Sequence, residues 1–294
     1  MQQQIDTLVV AGVGLIGGSF ALALKRAGRV RRVIGVGRTL ANLERALALG
    51  VVDEISQDIA AAAPRADLVL LASPVGQMGA LMAALAPGLR PGAIVTDGGS
   101  TKSDVAALYR RHLPDHLPWC VPAHPIAGSD MSGAVAAQYG LYENRRVVLT
   151  PLAETAPEAA ETVAALWRAC GAEIHSMSAA EHDAVFASVS HLPHLLAFAY
   201  VDRVAAKDNA ERCFDFAATG FRDFTRIAGS HPEMWTDISL ANRDALLAEL
   251  ADYRAGLERL SAMLAGGDAA GLQQLFSEAR GVRTRWHQQF LRRG

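Results

Sequence analysis

Three clusters of side chains in this 294-residue chain could do chemistry. One is Ala123-His124-Pro125-Ile126-Ala127-Gly128-Ser129, and a second is Asp97-Gly98-Gly99-Ser100-Thr101-Lys102. An imidazole titrates near neutrality, so His124 is a candidate to accept the proton of an alcohol being oxidised. Ser100 could bond either that histidine or the alcohol. Each also has an ordinary reading, His124 as a satisfied structural histidine and Ser100 as a helix cap. The third cluster runs from Ser188-Val189-Ser190-His191-Leu192-Pro193-His194 to Gly220-Phe221-Arg222-Asp223-Phe224-Thr225-Arg226, then Ser230 and Met234-Trp235. Ser190 and His194 are four apart and share a helix face. Arginine grips carboxylates bidentately, so Arg222 and Arg226 suggest an anionic substrate, or else surface ion pairs. A zinc site from His182, His191 and His194 lacks nearby Cys or paired carboxylates, so no metal is expected.

These clusters need a frame, and the glycines supply its first part. Gly12-Val13-Gly14-Leu15-Ile16-Gly17 follows an apolar run at 7–11 and precedes a helical stretch at 19–27. Gly12 permits a tight turn, Gly14 lets backbone approach a pyrophosphate, and Gly17 lets helix pack on strand. The helix start at Leu15 and Ile16 offers free N–H groups to phosphate. The next strand, 32–36, ends in Gly37-Arg38-Thr39. A carboxylate at that point would accept from a ribose 2′-hydroxyl and favour NAD. Here Arg38 can instead pair with a 2′-phosphate, with Thr39 beside it, so NADP is favoured over NAD. Ser73 and Pro74 follow the strand 67–72, where a loop would pass a nicotinamide ribose, or where an ordinary turn would start a helix.

Strand runs at 7–11, 32–36, 67–72, 93–97, 119–123, 146–150 and 172–175 alternate with helical stretches at 19–27, 40–49, 75–86, 104–111 and 158–169. Thr39 is a plausible N-cap for the second helix. This alternation predicts an α/β fold, a Rossmann-type doubly wound, mostly parallel sheet. Strand signals then stop. Helical stretches at 179–206, 208–219, 232–264 and 268–292 predict an all-α second domain, giving domains 1–176 and 177–294.

Composition narrows the class. Hydrophobic residues are 51% and charged residues 20%, which excludes a disordered chain. A net charge of −2 offers no basic excess for nucleic acid. No uninterrupted apolar run is long enough for a bilayer, and the amino-terminal MQQQIDTLVV lacks a basic leader segment. Three scattered cysteines read as reduced thiols of a cytoplasmic protein.

Together these motifs resemble the prephenate/arogenate (cyclohexadienyl) dehydrogenase family of tyrosine biosynthesis. The resemblance rests on GVGLIGGS at 12–19, DGGSTKSDV at 97–105, HPIAGSDMSG at 124–133, VSHLPHLLAFA at 189–199 and GFRDFTRIAGSHPEMWTDI at 220–238. It implies oxidative decarboxylation of prephenate, of arogenate, or of both, with hydride transfer to NAD(P)+. It further implies His124 as the base and Ser100 as its assistant. Ser190 and His194 would line the substrate pocket, and Arg226 would bind the substrate carboxylate. Trp235 would lie near the pocket, either its own or a partner subunit's. Many NAD-using relatives carry an Asp where this chain has Gly37. The helical domain of the family dimerises, so a homodimer is expected, with neither a mutase segment ahead nor a regulatory domain behind. Two other classes compete: a two-domain dehydrogenase of the β-hydroxyacid type, and a non-enzymatic dinucleotide-sensing module. The former relies on a helical-domain lysine, and Lys207 is the only lysine after residue 102.

Overall fold

The computed structural model describes residues 4–128, 131 and 133–291. Ser129, Asp130 and Ser132, within the HPIAGSDMSG motif, lie outside the described residues, as do the first three residues. Among the described residues the chain forms two compact units, 1–243 and 244–294.

The first unit opens on β1 (Ile5–Ala11), α1 (Leu15–Arg26), β2 (Val30–Val36), α2 (Leu40–Ala48), β3 (Glu54–Ser56) and α3 (Ile59–Ala62). It continues with β4 (Leu68–Leu71), α4 (Val75–Leu85), β5 (Ile94–Asp97), α5 (Ser103–His112) and β6 (Cys120–Val121). These six strands form one parallel sheet in the order β3-β2-β1-β4-β5-β6. Leu68–Leu71 is buried at every position, because helices cover both faces of a parallel sheet.

A second sheet follows. β7 (Ala123–Pro125) pairs antiparallel with β8 (Arg146–Leu149), and β8 pairs parallel with β9 (Glu173–Ser176) across α6 (Pro157–Ala169). The single strand expected at 119–123 is thus two short ones. Pro122 separates them and has no N–H to continue a ladder, so the chain leaves one sheet and enters another. Thr39 does sit at the N-cap of α2, but its side chain makes no capping bond.

Helices complete the unit: α7 (Ala179–Phe186), α8 (Leu192–Ala205), α9 (Ala210–Asp215), α10 (Thr219–Thr225) and α11 (Pro232–Ala241). A π-helical turn, Ala187–His191, joins α7 to α8. The resulting stretch Ala179–Ala205 contains an 18-residue window of mean hydropathy 1.4 and is long and apolar enough to cross a membrane by length and composition. It is not an uninterrupted apolar run, since Glu181, His182 and Asp183 lie within it, and its His182, Asp183 and His191 are buried and bonded inside the unit. Helix was also expected across 208–219 and 232–264. The first breaks between α9 and α10, and the second breaks at Asn242, whose buried amide is spent on side-chain bonding.

The second unit consists of α12 (Arg243–Ala265), whose first residue still belongs to the first unit, and α13 (Ala269–Leu291). Large apolar side chains such as Leu257, Leu264, Phe276, Trp286 and Phe290 are exposed on them.

Candidate active site

The glycine turn between β1 and α1 is built as the motif requires. Gly12 has φ +103°, and a Cβ there would fall 2.5 Å from Ala72 O and 2.9 Å from Ser73 N. The turn therefore packs directly on the Ser73–Pro74 loop, and Pro74 is the N-cap of α4. Gly14 is the N-cap of α1, and a Cβ on it would meet nothing within 4 Å. Open space thus lies at the one glycine where a phosphate must approach, in front of the unpaired amides of the first helical turn.

A Cβ on Gly98, just past β5, would lie 3.1 Å from Ile16 Cγ2 and 3.7 Å from Pro125 Cδ. The glycine turn, the end of β5 and the strand of His124 therefore adjoin.

Asp97 organises this junction. Its carboxylate accepts from Gly99 N at 2.8 Å and from Ala123 N at 3.3 Å. The Lys102 ammonium pairs with Asp97 and donates to Ala123 O at 2.7 Å, with both charged side chains at 0% exposure. A buried charge is tolerated only when paired and hydrogen-bonded, so this bridge ties β5 to the residue preceding His124.

His124 is half-buried, and its Nδ1 lies 2.8 Å from His182 Nε2 on α7. His182 Nδ1 in turn lies 2.8 Å from Asp183 Oδ1. The Asp183 carboxylate also accepts from the backbone N–H of Lys102 at 2.8 Å and of Ser103 at 2.7 Å. These are the first amides of α5, where the helix dipole favours an anion. Asp183, rather than Ser100, thus caps that helix. Burial works against the Asp183 anion, but its bonds from His182 and Ser103 outweigh it and hold the carboxyl below its ordinary value. Phe186 packs on the rings of His124 and His182, with centroids 4.9 and 4.4 Å away. Burial pushes His124 well below the usual histidine range, and the nearby His182, Lys102 and His191 add to this. Burial lowers His182 too, although Asp183 pulls the other way. His124 is therefore neutral at pH 7 and able to accept a proton.

The π-helical turn brings His191 to the same centre. Such turns insert a residue into the helix and frequently mark functional sites. The Asn242 amide donates to Asp183 O at 2.8 Å and lies 3.0 Å from His191 Nδ1. His191 also bonds the backbone of Ser100, and burial takes it down to about 4. One turn later, His194 Nδ1 donates to Ser190 O at 2.8 Å. Trp235 stacks flat on His194 and meets His191 edge-on, with centroids 3.6 and 6.1 Å apart. Trp235 thus reaches the histidines of its own chain. Burial lowers His194, and the Arg226 guanidinium adds to that, even though the bond to Ser190 opposes it.

From His124 a continuous path of contacts runs through His182, Asp183, Asn242, His191, Trp235 and His194 to the field of Arg226. Arg38 and Thr39 stand apart, exposed at the end of β2, and Arg222 pairs with Asp223 at 2.9 Å on the surface. Sequence reasoning gave no role to Asp97, Lys102, Asp183 or Asn242, and weighed His182 and His191 only as metal ligands. Both ring nitrogens of His182 are committed to protein partners. No local signal separates the His-Asp pair at 182–183 from the other polar residues of its helical stretch.

Known proteins match this chain in sequence and fold. The family model described as prephenate dehydrogenase, nucleotide-binding domain, matches residues 20–176, and that described as prephenate dehydrogenase, dimerization domain, matches 178–278. A cyclohexadienyl dehydrogenase of Zymomonas mobilis is 37% identical over 94% of this chain and 94% of its own length. A prephenate dehydrogenase of Bacillus subtilis is 36% identical over 96% of this chain and 76% of its own. Among solved structures, Aquifex aeolicus prephenate dehydrogenase in complex with hydroxyphenyl propionate and NAD+ superposes with a TM-score of 0.92 at 33% identity, covering 97% of this chain and 99% of that one. Synechocystis arogenate dehydrogenase superposes at 0.80 with 31% identity, covering 95% and 99%. The chain belongs to the prephenate dehydrogenase family, with that family's nucleotide-binding and dimerization domains in order along it.

Proposed function

We propose that the chain catalyses the NAD(P)-dependent oxidative decarboxylation of prephenate to 4-hydroxyphenylpyruvate, of arogenate to tyrosine, or of both, in tyrosine biosynthesis. The observation that carries this reading is His124, held 2.8 Å from His182 on a strand that adjoins the glycine turn through Gly98.

The coenzyme fits the residues present. The space before Gly14 suits a diphosphate, which Gly12, Gly14, Leu15, Ile16 and Gly17 would hold, with Ser73 and Pro74 beside the adjoining ribose. An oxidised nicotinamide supplies the hydride acceptor. The substrate is a cyclohexadienol with a carboxylate on the ring carbon para to its hydroxyl. His124 takes the hydroxyl proton while Ser100 orients that hydroxyl. Arg226 fixes the substrate carboxylate, with Ser190, His194 and Trp235 shaping the pocket. Loss of CO2 makes the ring aromatic, which drives the reaction forward. The protein's part is orientation, which can supply about 7–11 kcal/mol of a barrier, together with proton removal, typically worth about 10²–10⁴-fold.

Two features support NADP as the preferred coenzyme. Gly37 brings no carboxylate to the end of β2, and the Arg38 guanidinium has no ion-pair partner among the described residues. The Aquifex aeolicus relative was solved with NAD+, so the coenzyme assay has to include both. We assign the coenzyme to 1–176 and substrate binding and dimerisation to 177–294, the exposed apolar residues of α12 and α13 forming part of a homodimer interface. The protein acts in the cytoplasm. The test is purified protein with prephenate or arogenate and with NAD+ or NADP+, followed at the reduced-nicotinamide absorbance. Turnover of either substrate supports the reading, and no turnover with any pair rejects it.

A further inference from the structure

The hydrogen bonds around His124 determine which of its nitrogens carries a proton. Asp183 is held as an anion by two amides of α5 and by His182, and a carboxylate can only accept. The proton between Asp183 and His182 therefore sits on His182 Nδ1. A neutral His182 then has a bare Nε2, which can only accept. The 2.8 Å bond to His124 must be donated by His124 Nδ1. That leaves His124 Nε2 bare, and a bare nitrogen is what a base must offer.

We propose that His182 and Asp183 are positioning residues for the oxidation, forming with His124 a relay that holds its Nδ1–H tautomer and shares the charge it acquires. This rests on the reading of His124 as the base. The substrate hydroxyl gives its proton to His124 Nε2, and the resulting imidazolium can pass its Nδ1 proton to His182 Nε2. The positive charge then rests on His182 against the Asp183 carboxylate, with no proton gained or lost by the trio beyond the one taken from substrate. The relay offsets an unfavourable setting. Buried Lys102 opposes a second positive charge near His124, as does any charge on His191, while Asp97 neutralises Lys102 and Asp183 faces His182 directly. Without the relay, an isolated imidazole packed on Phe186 would acquire its charge with no counter-ion in contact.

Two measurements test this. In wild-type protein labelled with ¹⁵N-histidine, two-bond ¹H–¹⁵N correlations report the His124 tautomer directly, with His124→Asn identifying its signals. The relay predicts protonated Nδ1 and bare Nε2, and an Nε2–H tautomer overturns it. In His182→Leu, kcat should fall about 10- to 100-fold, a share of what base assistance is worth, with KM for substrate and coenzyme within about twofold. An unchanged kcat in folded His182→Leu also overturns the relay. Should His124→Asn keep full activity while the wild-type tautomer is as predicted, the base assignment fails and the hydrogen-bond reading stands.

Discussion

The Lys102 ammonium donates to the carbonyl of Ala123 at 2.7 Å, tying a fully buried cation to the residue that precedes His124. Removing that cation by Lys102→Met leaves the Asp97 carboxylate buried without its counter-charge. Urea unfolding should show a loss of about 3–5 kcal/mol. The double variant Asp97→Asn/Lys102→Met should recover part of it. A single variant within about 0.5 kcal/mol of wild type, the range of ordinary surface changes, would contradict the assigned role.

Asn242 joins the segments that carry Asp183 and His191. Asn242→Leu strands His191 Nδ1, at a cost of about 1–3 kcal/mol when left unsatisfied in the interior, while the Asp183 carbonyl keeps the Ala187 N–H. Stability should fall by that order. Because His191 bonds the backbone of Ser100, kcat should fall as well. A variant with lower stability and wild-type kcat at a temperature where it is folded would separate Asn242 from the site.

Acid should weaken the fold before the carboxylates titrate. His191 is lowered to about 4 in the folded chain, against an ordinary value of 6.5. Between those two pH values the unfolded chain binds a proton that the folded chain refuses, so stability is full above pH 6.5 and falls as pH drops toward about 4. Each pH step between the two values is worth about 1.4 kcal/mol, so this histidine alone accounts for about 3 kcal/mol. His124, His182 and His194 act in the same direction. Denaturation midpoints measured across this window should decline with acid, and the slope should be shallower in His191→Asn. Equal slopes for the two proteins would show that His191 is not held neutral.

Coenzyme choice is tested at the end of β2. Gly37→Asp should raise the ratio of kcat/KM with NAD+ to that with NADP+, since the carboxylate accepts from a 2′-hydroxyl and repels a 2′-phosphate. The new Cβ would lie 3.3 Å from Leu43 Cδ2, a tight fit that a flexible leucine end can relieve. Arg38→Ala should weaken NADP+ more than NAD+. Unchanged ratios in both variants would reject the Arg38 assignment.

Much of the frame was legible in the residues because it is repetitive. The GVGLIG turn sits between a buried strand and a helix as its spacing implies, and the all-apolar Leu68–Leu71 is a central parallel strand. β3 escaped notice because Glu54–Ser56 is three half-buried residues with no periodicity. The split at Pro122 was readable in principle, since a proline interrupts the run, but the second sheet depends on a partner strand more than twenty residues away. At the site, residues in dense motifs stood out and their supports did not. Asp183 and Asn242 sit among other polar residues in helical stretches, with nothing local to mark them. Lys102 looks like a surface lysine until the fold buries it. What makes each of them matter is a partner about 5 to 80 residues away, which no local pattern encodes.

Arg226 is expected to hold a fixed anion. Arg226→Ala should therefore raise substrate KM while leaving kcat nearly unchanged. A fall in kcat at constant KM would move the carboxylate contact elsewhere.

The proton acceptor is the centre of the chemistry, and His124 can be tested alone. Stopped-flow and steady-state rates of His124→Asn, with the substrate and coenzyme that the wild-type protein turns over, should show kcat reduced about 10²–10⁴-fold and coenzyme affinity nearly unchanged. Wild-type kcat in that variant would mean that another group takes the proton.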